Sequence, residues 1–329
     1  MILCINNNCN RNCEFCFEGS FKNAPVQMMS VADVHRIATF ANLQNVRNPT
    51  VSILGGEPTL HPDLVQIIEL VRRMNASGEI NLLSNLLCDP AILQSISRYG
   101  VGGLINVGGF PGYSDREKEL LYSNLDYCGR NRIFHGICVA VTITDVDQDF
   151  EFLYEMIGRD EALAIGGVRV GISAPGTDFA NDFPHEFSLG YGDKYLEIVE
   201  RCHQIRPLFG FSNECPVNMC MMSEEVYNRL APVVHGLRKQ VCTGNLDIMP
   251  DFSTHWCFAF QNVPELRIMN IFDYRDMAEV YRTLCDRATA LAKSLGSQCD
   301  SSSCTSLYCK GPCPAINYFR KHVKGKPQP

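Results

Sequence analysis

Between residues 1 and about 210, short apolar runs alternate with amphipathic stretches, and no other pattern in the chain restricts its fold more. The runs predict strands at 2–6, 50–54, 80–84, 103–107, 136–143 and 167–173. The intervening stretches predict helices at 31–44, 62–75, 90–98, 114–129, 147–158 and 192–205. Such alternation builds βα units on a mainly parallel sheet. Ser30 with Asp33 three residues on marks a helix N-cap, and Pro62 suits a first helical turn. Six strand–helix pairs fall short of the eight that close a full barrel, so the expected α/β fold is a partial (β/α)6 barrel of parallel strands, open on one side.

After about residue 209 the texture changes. A short helix over 223–232, a hairpin over 244–258 and an amphipathic helix over 273–295 lead into a cysteine-rich tail with little periodicity. That tail can bury little apolar surface and would rely on metal for its order. Two domains are therefore expected, 1–208 as the partial barrel and 209–329 as a C-terminal cysteine-rich extension.

Composition excludes several classes. With 46% hydrophobic and 20% charged residues the chain is neither disordered nor low-complexity, and a net charge of −7 gives no general attraction to nucleic acid or an anionic membrane. No run spans a bilayer and no signal peptide opens the chain, so a cytoplasmic protein is expected. In a reducing compartment seventeen cysteines are better read as metal ligands than as a disulfide framework. Cys88, Cys128, Cys138, Cys202 and Cys285 are scattered and suit small core positions. Two groups stand apart: Cys4, Cys9, Cys13 and Cys16 at the front, and Cys215, Cys220, Cys242, Cys257, Cys299, Cys304, Cys309 and Cys313 in the last third.

Cys9, Cys13 and Cys16 are spaced C-x3-C-x2-C in a loop after the first strand. Three thiolates from one loop can hold a four-iron cluster and leave one iron open. Cys4 lies in the strand and faces away. A zinc site or a chance cluster of core cysteines are the alternatives.

The stretch Cys9, Cys13, Phe15, Cys16 resembles the hallmark of the radical S-adenosylmethionine (radical SAM) enzymes. "SILGGEPTLHPDL", residues 52–64, resembles their glycine-rich motif at the end of the second strand. The resemblance implies a 4Fe-4S cluster on the three cysteines and S-adenosyl-L-methionine on the open iron, with Gly55, Gly56, Glu57 and Pro58 holding the methionyl amino group. It further implies Ser84 and Asn85 near the ribose, and Thr142 and Ser173 facing the same mouth; Arg169 could meet a carboxylate. Gly108 stands where a serine is frequent in the family and is given no contact. The rear cysteines resemble the SPASM or twitch extension, which binds one or two auxiliary 4Fe-4S clusters. Here the usual C-x2-C-x5-C reads C-x4-C-x4-C, and the hairpin's usual Asp-Gly is Asp251-Phe252. One consistent scheme puts Cys242, Cys257 and Cys313 with Cys215 or Cys220 on one cluster, and Cys299, Cys304 and Cys309 with the other early cysteine on a second. A zinc site on four of them is the competing reading, and Cys215 or Cys220 as a free hydrogen-atom donor is another.

The implied function is reductive cleavage of S-adenosylmethionine to a 5'-deoxyadenosyl radical that takes a hydrogen atom from substrate. The favoured substrate is a ribosomally made peptide or protein side chain, modified by crosslinking, oxidation or epimerisation; the alternative is a small metabolite. A non-catalytic iron-sulfur or zinc electron carrier or scaffold is the reading from a different class. Expected partners are the substrate, a flavodoxin or ferredoxin as electron donor, and, for a peptide substrate, a separate leader-binding protein; peptide maturases often carry an N-terminal leader domain, and a barrel that begins at residue 1 weakens the peptide reading without excluding it.

Overall fold

The structure, a computed structural model, describes residues 1–13, 16, 25–159, 164–172, 189–213, 221–237, 244–295 and 318. Six predicted strands are present as β1 (Ile2–Cys4), β2 (Thr50–Leu54), β3 (Glu79–Ser84), β4 (Gly102–Asn106), β5 (Ile137–Ile143) and β6 (Ile165–Ile172). Helices α1 (Val31–Phe40), α2 (Leu64–Met74), α3 (Pro90–Ile96), α4 (Asp115–Asn131), α5 (Glu151–Gly158) and α6 (Gly190–Ile205) alternate with them. The six strands pair in sequence order, all parallel.

The sheet continues past the sixth strand, which corrects the count of six. β7 (Gly210–Asn213) pairs parallel to β6, and β8 (Val234–His235), after α7 (Glu224–Leu230), pairs parallel to β7. Both are short and carry no apolar run, so periodicity could not show them. On the other edge β9 (Asp247–Ile248) lies parallel to β1 and forms an antiparallel hairpin with β10 (Thr254–His255), followed by β11 (Arg267–Ile268) and α8 (Met277–Leu295). The order is β11-β10-β9-β1-β2-β3-β4-β5-β6-β7-β8. Strands from beyond residue 208 thus extend the sheet on both sides.

Alternation along the strands separates two surfaces. Val51, Ile53, Ile80, Leu82, Ile105, Val139, Val141, Val168 and Val170 are buried and belong to the hydrophobic core. Their neighbours Ser52, Asn81, Leu104, Cys138, Ala140 and Arg169 line a cavity on the opposite face. Cys4 is a buried strand residue, as its position required.

Local chemistry sets the element ends. The Ser30 hydroxyl accepts from Asp33 N at 3.1 Å while the Asp33 carboxylate accepts from Ser30 N at 2.9 Å, a reciprocal cap that opens α1. α1 stops at Phe40 rather than 44 because Asn42 turns left-handed, with φ 52°. α5 starts at Glu151 rather than 147 because the Asp145 and Asp149 carboxylates hold the backbone N–H groups of Asp147 and Glu151, each at 2.8 Å. In the β9–β10 turn Phe252 takes φ 65°, where glycine is the usual occupant. Its ring packs edge-on against Phe272, at 5.2 Å between centroids, and packing of that kind offsets the strain.

Candidate active site

The loop after β1 is stitched to the turns after β2 and β3 by a run of asparagines. The Asn6 side chain donates to Glu57 O at 2.9 Å and to Asn8 Oδ1 at 2.7 Å; the Asn7 side chain donates to Pro25 O and accepts from Gln27 N. Asn10, between Cys9 and Cys13, donates to Leu87 O at 3.0 Å and accepts from the Asn85 side chain at 2.7 Å. Backbone bonds add to these: Gly56 N donates to Asn6 O at 2.9 Å and Glu57 N to Asn8 O at 2.8 Å. Asn6, Asn7, Asn8 and Asn10 were not singled out from sequence. The triplet Asn6-Asn7-Asn8 was the available signal, since short amides bridge backbone groups in loops.

That contact explains the two glycines. A Cβ on Gly55 would stand 2.0 Å from Asn6 Oδ1, and one on Gly56 would stand 2.3 Å from Asn8 O. The close approach they permit is to the cysteine loop itself. Gly109, after β4, was also missed: a Cβ there would meet Cys13 Sγ at 3.2 Å.

Glu57 is buried at 1% exposure. Its Oε1 accepts from Thr59 N at 3.0 Å, Thr59 Oγ1 at 2.7 Å and Ser84 Oγ at 2.7 Å, and its Oε2 accepts from Asn85 N at 2.7 Å. Burial pushes its pKa up, and these four donors oppose that shift. Ser84 and Asn85 line the cavity, hold Glu57 and join β3 to the glycine turn. Thr59 shares that role and had not been named. Pro58 opens the single 3-10 turn Pro58–Leu60, for which Glu57 is the cap.

Cys9, Cys13 and Cys16 line one cavity of about 1560 Å³ together with Gly55, Gly56 and Glu57. The surrounding wall desolvates Cys9 and pushes its thiol up to about 11; Glu57, Cys16 and Cys13 push the same way, while Arg11 N, 3.4 Å from the sulfur, opposes them. A Cys9 thiol that resists becoming an anion, with Cys13 and Cys16 on the same wall, would be met by a cationic group between the three sulfurs. Among the described residues no three Cys, His, Asp or Glu side chains converge on a single metal ion. The donor set, all sulfur and from one loop, fits a multinuclear iron-sulfur group. Arg11 packs 4.2 Å over the Tyr113 ring and bonds Glu117 at 2.5 Å, which ties the loop to α4.

Thr142 and Arg169 line the same cavity, and so do Cys138, expected in the core, and Cys257, expected on an auxiliary cluster. Cys88, Cys128 and Cys202 are buried as core positions should be. Gly108 N donates to Asn106 Oδ1 at 3.0 Å. Phe15, Ser173, Cys215, Cys220, Cys242, Cys299, Cys304, Cys309 and Cys313 lie outside the described residues.

Residues 3–109, the region that builds this site, match the family model of the Radical SAM superfamily. Among relatives, it is 34% identical over 70 residues to a 7,8-dihydro-6-hydroxymethylpterin dimethyltransferase of Methanocaldococcus jannaschii, covering 21% of this chain and 14% of that protein. It is 28% identical over 98 residues to a probable GTP 3',8-cyclase of Thermoplasma volcanium, covering 30% of this chain and 28% of that protein. The chain therefore aligns with less than a third of either relative's length. Among solved structures, Streptococcus suis SuiB bound to S-adenosylmethionine superposes with a TM-score of 0.69 at 17% identity, covering 98% of this chain and 74% of SuiB. HydG, a maturase of FeFe-hydrogenase, gives 0.51 at 13% identity, covering 87% of this chain and 63% of HydG. At these identities the likeness is one of fold. No described helix is long and apolar enough to cross a membrane.

Proposed function

We propose that the chain is a radical SAM enzyme that holds a 4Fe-4S cluster on Cys9, Cys13 and Cys16 and binds S-adenosylmethionine against the Gly55–Pro58 turn. The observation that carries this reading is the meeting of three thiols and the glycine turn in one cavity, locked by asparagines rather than by chance contact. When bound, the cluster and S-adenosylmethionine supply the electron and the carbon–sulfur bond whose homolysis yields a hydrogen-abstracting radical. The chain's own part is to position and exclude. Asn6, Asn8 and Asn10 hold the cysteine loop at a fixed distance from the turns that would receive the nucleoside. Glu57, held by Ser84, Asn85 and Thr59, keeps the glycine turn from moving. Arg11 and Tyr113 close the α4 side of the loop.

The proposed substrate is a peptide or protein side chain. SuiB, of like fold, was captured with a precursor peptide, and a cavity running along most of the sheet suits an extended ligand. A small substrate is the second reading, favoured by the names of the sequence relatives, two of which are GTP 3',8-cyclases. Cys257, on the same cavity, supports an auxiliary cluster in the segment 209–329, and a cytoplasmic flavodoxin or ferredoxin would serve as donor.

Anaerobic reconstitution followed by dithionite and S-adenosylmethionine should yield 5'-deoxyadenosine. Changing Cys9, Cys13 and Cys16 together to Ala should abolish it and remove about four irons per chain. Cysteine-dependent iron without any nucleoside, with candidate substrates present, would favour the electron-carrier class.

A further inference from the structure

Arg11 is the one charged residue between Cys9 and Cys13, and it lines the cavity with them. Its backbone N–H meets Cys9 Sγ at 3.4 Å, so the main chain of Arg11 already bonds one of the three sulfurs. Its guanidinium leaves the loop for the turn after β4 and the start of α4. There Nη1 donates to Glu117 Oε1 at 2.5 Å, Nη2 donates to Gly112 O at 3.1 Å, and the plane lies 4.2 Å over the Tyr113 ring. The ring in turn meets the second sulfur: a Cβ on Gly109 would stand 3.1 Å from Tyr113 Cε1 and 3.2 Å from Cys13 Sγ, so the two converge on one glycine. Glu117 is held whether or not Arg11 is present. Its Oε2 accepts from Ser114 N at 2.8 Å and Ser114 Oγ at 2.7 Å, which closes the reciprocal cap of α4.

A fixed ion pair thus stands beside the cysteine loop, with its cation stacked on the ring that packs toward Cys13. The reduction potential of an iron-sulfur group follows the net charge around it and the hydrogen bonds to its sulfurs. We infer that Arg11 is a positioning residue for the group held by Cys9, Cys13 and Cys16, and that Arg11 and Glu117 together set how readily that group takes up one electron. The cation favours the reduced, more negative form, and the carboxylate opposes it. This rests on the proposed cluster and adds a control of its potential that lies outside the cysteines and the glycine turn.

Arg11→Gln and Glu117→Gln break the same ion pair but change the charge in opposite directions, which separates an electrostatic role from a structural one. Full-length protein is reconstituted without oxygen and titrated with dithionite, and the reduced cluster is followed by electron paramagnetic resonance. The signal read is the one removed when Cys9, Cys13 and Cys16 are changed together to Ala. Arg11→Gln should make reduction about tenfold less favourable, a midpoint about 59 mV lower, and Glu117→Gln should make it about tenfold more favourable. Arg11→Lys, which keeps the charge and loses the fork, should stay within about threefold of wild type. Lys118→Gln removes a cation from the next position of α4, where its Nζ lies 5.4 Å over the Phe110 ring, and should also change the equilibrium by less than about threefold. Shifts of one sign in Arg11→Gln and Glu117→Gln, no shift in either, or a Lys118→Gln shift as large as that of Arg11→Gln would overturn the inference. If Arg11→Gln assembles no cluster, Glu117→Gln decides, and a midpoint at or below that of wild type overturns it. Wild-type protein that binds no iron would remove the proposed function and this inference with it, whereas a cluster whose midpoint does not respond removes the inference alone.

Discussion

Two edges of the same cavity are built in opposite ways. On the cysteine-loop side, Glu57 is buried at 1% exposure and has four donors, and Asn6, Asn7, Asn8 and Asn10 each bridge to another turn. On the hairpin side, Asp247, Thr254, His255 and Trp256 are also buried, yet Thr254 Oγ1 and Trp256 Nε1 find no hydrogen-bond partner among the described residues. The first edge is tied together by side-chain bonds between turns, with Asn6 Oδ1 left unmet among the described residues. The second is joined through strand pairing, and its unmet polar atoms, like Asn6 Oδ1, are of the kind that usually costs stability. The chemistry proposed for the front loop therefore starts from a preformed frame, while the hairpin contributes position through its strand pairing with β1.

The comparison can be broken by removing its centre. Glu57→Ala would strand the Ser84 and Thr59 hydroxyls and the Asn85 N–H, and should cost about 3 kcal/mol in urea unfolding, since each buried orphan costs about 1–3 kcal/mol. Loss below about 1 kcal/mol would show that the network is not what holds the turn. Gly56→Ala should cost about 1–3 kcal/mol, because its Cβ meets the Asn8 carbonyl, a backbone atom that cannot rotate away.

A pH series sharpens the same edge. Burial lowers the pKa of His61, whose Nε2 donates to Met29 O and whose Nδ1 accepts from Asp63 N. Unfolded histidine takes up a proton near 6.5, whereas the folded ring resists it, so the unfolded state binds more protons below that pH. This contribution to stability is present above pH 6.5 and is lost as pH falls below it. His61→Gln should flatten that part of the urea midpoint's pH dependence, and an unchanged slope would place the titration elsewhere.

The smallest effects separate the two edges. Asn10→Ala should cost about 1 kcal/mol for lost loop bonds and alter the electron paramagnetic resonance spectrum of the reconstituted cluster. Thr254→Val, which removes a buried hydroxyl without a partner at nearly constant shape, should change stability by less than about 0.5 kcal/mol or raise it. A large loss from Thr254→Val would mean that the hydroxyl has a partner outside the described residues.

The central strands of the sheet, β1 to β6, were legible because they carry apolar runs, and the Ser30–Asp33 cap was legible because its chemistry is local. β7 and β8 were not, since GFSN and VH hold too few apolar residues to register, and neither was the pairing of β9 with β1, a long-range contact. At the site, the cysteine spacing and the glycine turn could be read as motifs. The protein contacts of Gly55, Gly56, Ser84 and Asn85 could not, because each depends on a residue brought in from another turn.

By itself, then, the sequence determined an alternating α/β chain with a three-thiol loop after its first strand and a glycine turn after its second, because strand period, capping and spacing are local properties. Only the tertiary structure decided that asparagines lock the loop, that Glu57 is held by β3, and that Arg169 and Asp247 face one cavity from opposite sides. Those outcomes depend on register and close approach between segments as far apart in sequence as Asn6 and Glu57, which no local pattern encodes.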